Sequence, residues 1–94
     1  MRLNNGKGKY YAIANIDELE LPENIIKSDF HEHISNAVDE VLNKIRNYLS
    51  KNGIIGKFHA SVNVFTRDDI SPRLIQTINT KIVVKNNLDD GKVI

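Results

Sequence analysis

The sequence predicts an α+β fold of two layers: an antiparallel sheet of three or four strands, in the order β-α-β-β, with one long helix packed across one face. Three observations predict it. Over residues 30–52, Phe30, Ile34, Ala37, Val38, Val41, Leu42, Ile45, Tyr48 and Leu49 recur at steps of three and four, which lines one face of a helix. Residues 57–66 and 74–85 alternate apolar and polar side chains instead, the period of a half-buried strand. Finally, 94 residues make one domain of ordinary size, so positions 1–94 are read as a single unit.

Each element has its own local signals. Residues 1–9 contain Asn5-Gly6 and Gly8 and read as a flexible N-terminal arm. Residues 10–16 are rich in strand formers and give the first strand. Residues 17–27 admit two readings, a short turn opened by Pro22 over 23–27 or a loop extended around Leu19 and Leu21. The helix is expected to start at Asp29, which with Glu32 fits a capping box, and to end before Gly53, the residue type suited to a left-handed C-terminal position. Glu40 and Lys44 stand in the favourable i,i+4 order on its surface.

In the second strand, Phe58, Ala60, Val62 and Val64 share one face, while Phe65 breaks the alternation by joining the polar one. Residues 67–73, with Asp68-Asp69 and Ser71-Pro72, form a loop. The third strand places Leu74, Ile78, Ile82 and Val84 on the apolar face. Asp90-Gly91 signals a turn, after which residues 92–94 fold back as a short edge strand or fray.

Composition narrows the function classes. The net charge of +1 is low for a double-helix binder, whose affinity rests on phosphate neutralisation. Charge is segregated: residues 17–40 hold eight acids against Lys27 alone, while 41–57 hold Lys44, Arg46, Lys51 and Lys57 without an acid. A helix favours acids near its start and bases near its end, which accounts for much of this gradient. With no cysteine, disulfides, thiolate nucleophiles and thiolate metal sites are excluded. No apolar run approaches a membrane span or a signal-peptide core, so a cytoplasmic location is expected.

The chemical motifs do not assemble into a catalytic site. His31-Glu32-His33 places histidines two apart, on opposite sides of a helix, rather than four apart as helical metal ligands stand. They could converge with His59 only if the helix started later. Asp68-Asp69 and Asp89-Asp90 read as solvated turn acids, and Gly6-Lys7-Gly8-Lys9 lacks the strand, spacing and helix of a phosphate loop. No serine sits in a nucleophile elbow. The sequence therefore predicts a non-enzyme without catalytic residues, cofactor or metal.

One helix covers only one side of such a sheet. The other side carries His59, Ser61, Asn63 and Phe65 on the second strand, and Ile75, Thr77, Asn79, Lys81 and Val83 on the third. This mixture of apolar and small polar side chains suits an interface. The expected function is a small interaction module that forms a homodimer or binds a partner protein through this face or an edge strand. An origin in a phage or other mobile element, acting by occluding a partner, fits the profile. The alternative is an RNA or single-stranded nucleic-acid binder using Phe65, His59, Lys81, Lys85 and Tyr10 or Tyr11 on the same face.

The order of strand, long helix and long hairpin resembles the N-terminal part of bacterial ribosome-hibernation factors. Residues 16–21, the helix, and Ser61-Val62-Asn63-Val64-Phe65 carry the resemblance, which spans residues 10–85. It implies the α+β layering already read from the residues. The second helix of that family and its basic RNA-binding groove have no counterpart here, so no site residue is carried over.

Overall fold

The computed structural model describes residues 8–67 and 72–85. Within them lie β1 (Tyr10–Ile16), α1 (Ile34–Lys51), β2 (Gly56–Thr66) and β3 (Arg73–Val84). The strands form one antiparallel sheet in the order β1-β2-β3, and α1 packs on one of its faces. The predicted two-layer α+β arrangement is the observed one.

Alternation decides which strand face is covered. Ala12, Ala14 and Ile16 of β1 stand opposite Val64, Val62 and Ala60 of β2, and all six are buried. From the helix, Ala37, Val38, Val41, Ile45 and Leu49 close over them. The small Ala12, Ala14 and Ala37, each fully buried, let α1 approach β1 closely. Each fully buried Val, Ile or Leu contributes roughly 1.5–3 kcal/mol, so this single layer carries most of the fold's apolar stabilisation.

The helix begins later than its apolar spacing predicts. It has 18 residues, about 27 Å, with His33 as N-cap and no side-chain cap. Asp29 does not cap it: the Asp29 N–H donates instead to Glu40 Oε1, 3.1 Å away. His31 is claimed by the sheet, and Glu32 and His33 bend the chain into the helix. The His31 N–H donates to the Tyr10 carbonyl (2.8 Å), and the Tyr10 N–H returns a bond to the His31 carbonyl (2.9 Å). A residue cannot serve this ladder and a helical turn together, so the apparent first turn of the helix is an extended strap. The other end matches expectation, with Gly53 at φ 71° and the Ile54 N–H on the Leu49 carbonyl.

Residues 26–31 run along the outer edge of β1. Isolated bridges join Ile13 to Lys27 and Tyr10 to His31, and the buried Ser28 hydroxyl accepts the Ala12 N–H at 2.9 Å. Between β1 and this strap, Pro22 does open a turn, closed by the Ile25 N–H on its carbonyl. Gly8 and Lys9, expected as the end of a flexible arm, are bound: the Lys9 N–H donates to the His31 carbonyl and the Arg67 N–H to the Lys9 carbonyl. Gly8 is buried where a Cβ would overlap the backbone of Phe30 and His31, so only glycine fits. The remainder of the expected arm, residues 1–7, lies outside the described residues, as do Asp68-Asp69, Asp89-Asp90 and the expected edge strand at 92–94.

The β2–β3 hairpin has one irregularity. Val64 pairs with Gln76 but Phe65 with Leu74, leaving Ile75 as the extra residue of a bulge. Leu74, assigned by strict alternation to the helix face, is thereby placed opposite Phe65 and is exposed.

Candidate functional site

The uncovered sheet face gathers most of the expected interface residues in one register. His59 pairs with Lys81, Ser61 with Asn79 and Asn63 with Thr77 across β2 and β3, and Val83 pairs with Lys57. The Ser61 hydroxyl donates to Asn79 Oδ1 (3.0 Å), and the Thr77 hydroxyl to Asn63 Oδ1 (2.8 Å). These two bonds make a neutral ladder in which each hydroxyl donates to a carboxamide oxygen. Ile75 belongs to the same strand but stands in the bulge, out of register.

At one end of this face lies an aromatic cluster. Tyr11 and Phe65, partners across β1 and β2, stack with centroids 5.4 Å apart and planes at 18°. Phe30 from the strap meets Tyr11 edge-on, also at 5.4 Å. Lys27 Nζ lies 5.0 Å from the Tyr11 centroid and the Arg67 guanidinium 4.4 Å from that of Phe30. The sequence places Phe30 in the helical stripe; the structure places it here. Its only trace in the pattern is that Phe65 interrupts the polar row of β2.

The middle of the face is set by His59. Glu18 spans it, with Oε2 at 2.7 Å from Nδ1 and Oε1 accepting the His59 N–H at 3.0 Å. The His59 side chain foremost, then its N–H, holds the Glu18 carboxyl below its usual range. Asp17, His59, Ser61, Asn79 and Lys81 border a shallow depression of about 300 Å³. Its one acid, Asp17, offsets Lys81, so it has no single-sign field of the kind that gathers phosphates.

The three histidines do not converge. His31 binds Glu40, His59 binds Glu18, and His33 caps α1. Among the described residues no three His, Cys, Asp or Glu side chains are grouped to hold a metal, and no helix is long and apolar enough to cross a membrane.

The two sheet edges differ. The strap covers β1, whereas no described strand pairs with the outer side of β3. Among the described residues, three of the five exposed large apolar side chains lie on β3: Leu74 (52% exposed), Ile75 (41%) and Val83 (43%). At its far end, Arg46 and Ser50 of α1 flank Val84 and Lys85 around a cleft of about 310 Å³.

No protein-family model matches this chain, and no curated protein or solved structure matches it either. The resemblance in element order is therefore one of order alone, and the functional reading rests on the surfaces just described.

Proposed function

We propose that this chain is a non-catalytic interaction module that dimerises or binds a partner protein through its uncovered sheet face, with the edge of β3 as the centre of contact. One observation carries the reading: among the described residues, exposed apolar side chains concentrate on the strand whose outer edge has no described partner, while the opposite edge is sealed. A long bare edge offers a row of N–H and C=O groups to an incoming chain. The ladder of Ser61, Asn63, Thr77 and Asn79 beside it is uncharged and its hydroxyls and carboxamide oxygens are paired, so covering it buries no charge. As part of the same proposal the module acts in the cytoplasm, where its cysteine-free sequence needs no oxidising environment.

Nucleic-acid binding by this face is the weaker reading. Base stacking needs open aromatic faces. Here Tyr11 is buried, with Phe65 stacked on it and Lys27 over its ring, and Arg67 lies over Phe30.

Sedimentation at micromolar concentration tests the dimer, with an expected mass near twice 10.7 kDa. A monomer at every concentration removes it. For nucleic acid, oligonucleotide binding at low salt that Lys81→Glu with Phe65→Ala abolishes would restore the weaker reading.

A further inference from the structure

We infer that the occupant of the β3 edge is a second copy of this chain, paired antiparallel about a two-fold axis at Asn79. The inference rests on the interaction-module reading and specifies its partner and register.

The strand is self-complementary about that residue. A two-fold perpendicular to the sheet keeps both uncovered faces on one side and both helices on the other, so facing residues must share a parity. With Asn79 on the axis, Lys81 falls opposite Thr77 of the second copy. Val83 falls opposite Ile75 of the second copy, which matches two of the three exposed apolar residues of β3 with each other. Moving the axis by one residue toward either end sets Val83 against Arg73 or Thr77 instead and loses that match.

Charge and coverage agree with this register. The two Lys81 side chains stand four residues apart along the strands, about 13 Å, beyond the Debye length of about 8 Å in physiological salt. No acid lies on β3, and its only charges are Arg73 and Lys81. On the helix side, α1 leaves Gln76 exposed but buries Ile82 and Val84. The axis brings the uncovered end of each β3 beside the covered end of the other, where the second copy's α1 lies close by. The one like-charged juxtaposition, Arg73 with the second copy's Lys85, sits at the solvent-exposed ends, where salt screens it.

The native chain has no cysteine, so single cysteines report the register without background. Antiparallel partners stand roughly 4.5–5.5 Å apart at Cα, within the range of about 4.4–6.8 Å that a disulfide spans. Under mild oxidation, Asn79→Cys should convert to a covalent dimer. Thr77→Cys alone should not, while an equal mixture of Thr77→Cys and Lys81→Cys should give the mixed disulfide. Ile75→Lys with Val83→Lys changes two exposed positions and should give a folded monomer by circular dichroism and sedimentation. Raised salt should tighten the dimer, the opposite of a nucleic-acid complex. If the native chain sediments as a dimer but Asn79→Cys does not cross-link, the β3 register is wrong while the interaction-module reading stands. A native monomer at all concentrations overturns the second-copy inference itself.

Discussion

His31 Nε2 lies 2.6 Å from Glu40 Oε1, tying the strap beside β1 to the second turn of α1. Glu40 also accepts the Asp29 N–H and meets Lys44 Nζ at 3.4 Å, and Lys44 in turn donates to the Lys27 carbonyl. Partial burial opposes ionisation of Glu40, but the hydrogen bonds from His31, Asp29 and Lys44 outweigh it and hold the carboxyl below its usual range. A carboxyl that binds its proton less tightly when folded stabilises the fold above its unfolded value, near 4.5. That contribution is lost as pH falls through the lower folded value. Urea titrations from neutral to acid pH should show the loss, and Glu40→Gln should flatten this acid limb. At neutral pH the substitution should cost about 1–2 kcal/mol.

Ser28 should matter more than an ordinary serine. It is the one buried polar residue among those described, and its hydroxyl accepts from Ala12 while donating to the Asp29 carbonyl. Ser28→Ala leaves the Ala12 N–H buried without a partner, at a cost of about 1–3 kcal/mol. The urea midpoint should fall accordingly, and the Ala12 amide should exchange faster than its neighbours in β1.

Gly8→Ala should detach the N-terminal residues from the strap, because the new Cβ overlaps backbone rather than a movable side chain. Overpacking of this kind costs about 1–3 kcal/mol. Loss of hydrogen-exchange protection at Lys9 and Arg67, with β2 and β3 unchanged, would mark the effect as local.

Ile45→Ala should be the most damaging of these changes. Ile45 is fully buried between α1 and the sheet, and such truncations cost about 2–5 kcal/mol. A domain of this size has about 5–15 kcal/mol in all, so thermal unfolding should move down by many degrees or lose its cooperativity.

The covered layer was legible in the sequence because periodicity is a local signal. Val62 and Val64, or Val41 and Ile45, announce their face by spacing alone. The start of α1 was not legible in the same way. Asp29 and Glu32 have the spacing of a cap, yet what decides residues 30–33 is pairing of His31 with Tyr10, twenty-one positions away. Leu74 was misplaced for a related reason, since a bulge adds one residue without altering the apolar pattern. On the uncovered face alternation gives the residues of β2 and β3 with the exception of Leu74. The stacking of Phe30, Tyr11 and Phe65 could not, because it joins three separate segments.

Sealing β1 has a consequence for assembly size. A sheet with two bare edges can add chains at both ends and grow into a fibre. Here the strap occupies one edge through backbone bonds to Tyr10, Ala12 and Ala14 and the Ser28 hydroxyl, so among the described strands only β3 keeps an edge without a partner. In the proposed pair, two copies joined at β3 would present only strapped edges outward. Addition would then stop at six strands, with the Ser28 strap as the stop.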